Sequence, residues 1–344
     1  MFIFMEKKIK AAKAFVECKI KAQKSITICF HPNCNEPSIN SHILQKNGIL
    51  SVIADNGHVI TLKINPFKES KHSFERTGIN EAFSFNCFCN KHDSDLFKSI
   101  EKENIDFEDY KSLILFTLRT IYNEIFRKLV NIKMNECLIK NYSEIFNIQE
   151  LKKRNYQEKL GLTDLEKIEK IIWNDLDNET ESFIFKTREI TKKDVCLSSF
   201  YTYDTSEEIK NYYYSTGKNK ESLIEIFVNL FPYKSNSIFM IGYQKKYEPE
   251  VKGYVNSFFS DNEKRLERKI TNLMMFLCET WVISSKLFDK QIKGHENNFS
   301  YASAFSLQNY NERQFFDINI FKDDFLRKFE YFKKTHPIMR IYNP

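Results

Sequence analysis

"CFHPNCNEPSINSHILQK", residues 29–46, places Cys29, His31, Cys34 and His42 within eighteen positions. Either this is a packed stretch of core, or it is half of a metal site beside a catalytic histidine. A matching half stands at residues 81–97, "EAFSFNCFCNKHDSDLF". Cys29 and Cys34 have four residues between them, close enough for two thiolates to meet one ion. Cys89 and His92 have two residues between them, as a knuckle or a first helical turn requires. Four N/S donors in two close pairs, joined by a 54-residue segment, suit a structural Zn²⁺. Cys87 is the spare, since a Cys-x-Cys gap suits opposite faces of a strand better than one ion. The competing reading is buried thiols, because free cysteine behaves as a small hydrophobe. Asn, Pro, Lys and Asp flank both pairs and argue for ligands. Cys18, Cys137, Cys196 and Cys278 stand in apolar or helical text and read as buried thiols. A zinc with four protein ligands has no open position, so its role is to staple the fold.

Composition narrows what the rest can do. The chain has 344 residues, 42% apolar and 15% aromatic with 32 Phe, enough to bury a large core in two or three units. No run approaches the ~18 apolar residues of a membrane span, and "MFIFMEKKIKAAK" is not the apolar run of a secretory signal, so no membrane partner is expected. Eight cysteines without an export signal point to thiols or metal ligands in a reducing cytoplasm. Only 8 glycines occur, never spaced as GxG or GxxG. The phosphate-cradling loops of nucleotide-binding enzymes are therefore absent, as is the GxSxG elbow.

The net charge is +6, and residues 1–24 hold seven lysines against Glu6 and Glu17. Ile9, Ala12, Val16 and Ile20 recur at three- and four-residue steps, which predicts a helix with one apolar side and a lysine-rich remainder. Lys7, Lys10, Lys13, Lys21 and Lys24 are candidates for contact with nucleic-acid phosphates, DNA before RNA, or with an anionic surface; a solvated face is the alternative.

The expected class is α+β: a basic helix over 1–24, a zinc-binding module over 25–105, a helical region over 106–181 and an α+β domain over 182–344. "HVITLKI" (58–64) alternates as a strand entered through the Asn56-Gly57 turn. One long helix is expected around "EDYKSLILFTLRTIYNEIFRKLVNIKMNECL", a second around "NIQELKKRNYQEKL", and a new start at Thr163-Asp164-Leu165-Glu166. Beyond 182, four β-branched and aromatic runs predict an antiparallel sheet. Two helical stretches follow, "EKRLERKITNLMMFLCETWVISSKLF" and "INIFKDDFLRKFEYFKK". "NYYYSTGK" (211–218) offers rings for base stacking, and this domain is the expected site for a protein partner.

A zinc knuckle, a histidine soon after it, then an asparagine and a second metal pair leading into a helix resembles the HNH (ββα-metal) nucleases, over residues ~25–100. The resemblance implies a treble-clef or ββα-like module in which His42 activates water and Asp93 ligates a catalytic Mg²⁺ or Mn²⁺. Asn86 or Asn90 would be the orienting asparagine, and a phage-defence context follows by analogy. Ser41 stands where many members carry an acidic residue, and the segment from His42 to Cys89 is about twice as long as a compact motif needs, which requires an insertion or another topology. Read from the residues alone, Ser41 can equally cap a helix starting at His42, and Asp93 can equally serve a helix N-terminus. Two functions therefore stand side by side: a metal-dependent endonuclease, and a non-catalytic zinc-stabilised module that binds nucleic acid or protein.

Overall fold

The computed structural model describes residues 2–64, 67, 72–203 and 223–338; "NYYYSTGK" lies outside them. In chain order the elements begin with α1 (Phe2–Lys24), β1 (Asn40–His42), α2 (Ser51–Ile53), β2 (His58–Ile64), β3 (His72–Gly78), β4 (Ser84–Asn86) and α3 (Asn90–Phe97). The long helices α4 (Tyr110–Asn141) and α5 (Ile148–Asn178) follow, then β5 (Phe183–Thr191), β6 (Val195–Thr202), β7 (Glu225–Tyr233) and β8 (Asn236–Gln244). The chain continues with α6 (Glu248–Ser260), α7 (Glu263–Phe276), β9 (Trp281–Ile283), α8 (Ser285–Gln291), α9 (Asn297–Asn309) and α10 (Phe325–Thr335).

These elements sort into two compact units, residues 1–43 with 84–181 and residues 44–83 with 182–344. The division crosses the 25–105 module read from the sequence. The chain leaves the first unit after Ile43 and returns at Ser84, and what lies between contributes β2 and β3 to the second unit. That excursion accounts for the long His42–Cys89 segment.

In the first unit, β1 pairs antiparallel with β4, His42 opposite Ser84 and Asn40 opposite Asn86. α4 starts where Asp109 accepts from the Ser112 N–H at 2.9 Å, and α5 where Asn147 accepts from Glu150 at 3.2 Å, both N-caps. α5 runs unbroken to Asn178, so the expected start at Thr163 is corrected. The Thr163 hydroxyl donates back to the Lys159 carbonyl at 3.1 Å, an intrahelical bond that leaves nothing to cap. α1 packs on α4 through Ala14, Cys18 and Ala22, with Val130, Met134 and Leu138 opposite. Here two cysteines depart from the expected thiols: Cys18 and Cys137 form a disulfide between these helices. A sequence cannot show that two cysteines 119 positions apart face each other.

The second unit is a seven-stranded sheet in the order β3-β2-β9-β6-β7-β8-β5, every pairing antiparallel. α6 and α7 lay Val251, Val255, Phe258, Leu266, Ile270 and Leu273 over the face that carries Ile226, Val228, Leu230, Phe239 and Ile241. The Asn56-Gly57 turn forms with both residues at positive φ (48° and 72°), as the sequence pattern predicts. The helix expected over "EKRLERKITNLMMFLCETWVISSKLF" breaks at Leu277, and Trp281–Ile283 becomes a strand between β2 and β6. A strand buried on both faces is an apolar run without alternation, which periodicity cannot separate from a buried helix.

Candidate metal centre

Cys29 and Cys34 are delivered by a tight loop. The Cys29 N–H donates to the Glu36 carbonyl (2.9 Å), the Cys34 N–H donates to the His31 carbonyl (3.1 Å), and Asn33 takes a left-handed φ of 61°. The Phe30 N–H donates to the Cys87 carbonyl at 2.9 Å, which seats this loop against the chain entering α3. Cys89 is the residue before α3 and His92 lies in its first turn, so one helix start presents both donors.

The ligand atoms of Cys29, Cys34, Cys89 and His92 all lie within 4.8 Å of one another. His92 Nδ1 is 3.5 Å from Cys29 Sγ and 3.4 Å from Cys89 Sγ. Around a tetrahedral zinc, with Zn–S about 2.3 Å and Zn–N about 2.0 Å, an S···N edge comes to roughly 3.5 Å. The set therefore has the donors and the size to hold a metal ion. Cys29 is buried, which raises its thiol to about 11; the His92 backbone N–H lowers Cys89. Burial and the neighbouring His31 hold His92 below the ordinary histidine value, keeping its ring neutral with a lone pair to give. Cys87 is buried outside the set.

A second layer supports these ligands. His31 stacks on the His92 ring (centroids 3.7 Å apart, 13° between planes) and meets Trp173 of α5 edge-on at 4.9 Å. Trp173 Nε1 donates to the Tyr122 hydroxyl (2.7 Å), which lies 2.6 Å from Glu169 Oε1 and 3.1 Å from the Phe30 carbonyl. Burial raises both Tyr122 and Glu169, and for Glu169 the Tyr122 hydrogen bond works against that rise. Trp173, Tyr122 and Glu169 come from helices far along the chain and were not legible as part of this site in the sequence. The one signal was polar residues inside apolar helical text.

Of the candidate catalytic residues, His42 ends β1 half-buried, Asn90 is exposed at the start of α3, and Asn86 donates to the Ile26 carbonyl at 3.4 Å. Asp93 is turned inward. Burial raises its carboxyl, opposed by Arg119, the Ser41 hydroxyl and, more weakly, His42. Arg119, 2% exposed, reaches from α4 to within 4.0 Å of Asp93 Oδ1 and 2.5 Å of Glu101 Oε1, with its guanidinium over the Phe97 ring. Asp93 Oδ1 and Arg119 Nε and Nη1 are buried without a hydrogen-bond partner among the described residues. Ser41 also accepts from the Phe88 N–H at 3.5 Å, so it serves β1 and caps no helix.

The lysines read as phosphate contacts, Lys7, Lys10, Lys13, Lys21 and Lys24, are all exposed on α1, and Lys21 pairs with Glu17 at 2.6 Å. No described helix is long and apolar enough to cross a membrane. Comparison with known protein families, curated proteins and solved structures finds no match for this chain.

Proposed function

We propose that the chain is a non-catalytic binding protein whose first unit is stapled by a structural zinc ion, with α1 as the face that meets an anionic partner. The closed donor set carries this reading. Three thiolates and one imidazole fill a tetrahedral ion and leave no position for water or substrate. The lysine surplus on α1 sets the sign of the partner's charge, and nucleic acid is one partner of that sign.

The nuclease reading keeps one supporting observation. β1, β4 and α3 follow one another as strand, strand and helix around the four ligands, and His42 is near enough to Asp93 to be felt by its carboxylate. Against it stands Arg119, whose fixed positive charge beside Asp93 opposes the Mg²⁺ or Mn²⁺ that this carboxylate would have to hold.

Plasmid DNA, linear DNA and RNA incubated with Mg²⁺ or Mn²⁺ should remain intact with both the parent protein and His42→Ala. Cleavage by the parent that disappears in a folded, metal-loaded His42→Ala protein would overturn the proposal and restore the nuclease. Metal analysis of the purified protein should return one zinc per chain.

A further inference from the structure

Among the described side chains of α1, the buried ones are small, with Phe15 partly buried beside them. Ala14, Cys18 and Ala22 are buried against α4, while Ile9, Val16 and Ile20 are 49%, 51% and 45% exposed. At 3.6 residues per turn, Ile9, Val16 and Ile20 fall within roughly 40° of one another, on the side of the helix opposite Ala14, Cys18 and Ala22. By the same count Lys13 and Lys24 border this ridge on one side, sharing it with Glu6 and with Glu17, which pairs with Lys21, while Lys8 and Lys19 lie roughly 90° round on the other; all four lysines are exposed. The Cys18–Cys137 bond ties the buried side to α4, so the helix cannot roll to hide its ridge. An aliphatic ridge facing water beside exposed lysines can take an occupant of matching chemistry.

Three occupants differ in chemistry. A second copy of the helix would bring a lysine-rich face against its own kind. A nucleic-acid backbone would satisfy the lysines but offers isoleucine and valine only charged oxygens. An anionic lipid surface satisfies both, because the ridge sinks among acyl chains while the lysine stems lie alongside and carry their charge to the headgroups. Resting on the reading of α1 as a face for an anionic partner, we propose that this helix lies on membrane surfaces rich in anionic lipid, parallel to the bilayer and without crossing it.

The test uses the full-length protein with vesicles of phosphatidylcholine alone and of phosphatidylcholine mixed with phosphatidylserine, read by co-sedimentation. Binding to the mixed vesicles should exceed binding to the neutral ones by roughly 10²-fold. Val16→Ser with Ile20→Ser, and separately Lys13→Gln with Lys24→Gln, should each lower it by roughly tenfold. These positions are exposed, so circular dichroism should show the parent fold in each variant. Equal binding to both vesicle types, or none, overturns the proposal. So does a labelled DNA duplex bound tightly in low salt and lost in Lys13→Gln with Lys24→Gln but not in Val16→Ser with Ile20→Ser, in the absence of vesicle binding; the anionic-partner reading would then stand with nucleic acid in the lipid's place. His42-dependent cleavage would sink the non-catalytic reading and leave the vesicle result untouched.

Discussion

At the scale of single residues, the first unit gathers two polar clusters, and only one was legible in the sequence. Cys29, Cys34, Cys89 and His92 could be named from their pairing and polar flanks, because a metal site needs two short spacings that survive in one dimension. Arg119 could not, since an arginine within "LILFTLRTIYNEIF" gives no hint of what it will meet. In the structure it joins α4 to Asp93 of α3 and to Glu101. Removing one member of a buried pair leaves the other uncompensated, so Arg119→Ala should cost about 3 kcal/mol in urea unfolding. A loss near zero would show that water already screens the cluster. Cys34→Ser should remove zinc from the purified protein and lower its Tm by more than any surface substitution, measured by metal analysis and calorimetry side by side.

Elements show where periodicity works and where it stops. α4 and β2 stand where the pattern puts them, since each has a local signal: an acidic N-cap and an Asn-Gly turn. α5 and β9 departed from the pattern because a threonine can bond backward as well as cap, and a central strand can look like helix. Close approach within the sheet is equally invisible from sequence. At Gly242 of β8, a Cβ would sit 2.4 Å from the Phe185 ring of β5. Gly242→Ala should therefore destabilise the protein by about 1–3 kcal/mol despite alanine's small size, as equilibrium denaturation would report. The α1–α4 link makes a further prediction. The metal-free protein unfolded without reductant should show six reactive thiols, rising to eight after reduction, with thiol titration as the readout. Eight before reduction would return Cys18 and Cys137 to the buried thiols that composition suggested.

For the whole molecule, the notable fact is that 44–83 interrupts one unit to complete another. His42 and Ser84 are paired across β1 and β4, so a tight Asn-Gly turn can replace the segment between them. A chain built that way should still bind one zinc. It should lose native sheet signal in circular dichroism and tend to aggregate, because β9 would be stripped of its partner β2 and become an open edge. Loss of zinc binding in that variant would mean that the ligand set needs the excursion.

The sequence alone determined the donor set, the lysine surplus of α1, the α+β character and the absence of phosphate-binding loops. All of these depend on residue type or on neighbours a few positions apart. Only the tertiary structure decided that Asp93 turns inward to Arg119, that Cys18 finds Cys137, that 44–83 belongs to the second unit, and that Ile9, Val16 and Ile20 face water while alanine and cysteine are buried. A helix of this composition can pack either side, and only the tertiary contact with α4 decided that Ala14, Cys18 and Ala22 are the ones buried, since a close-packed interior is settled by the partner's shape and not by the helix's own pattern.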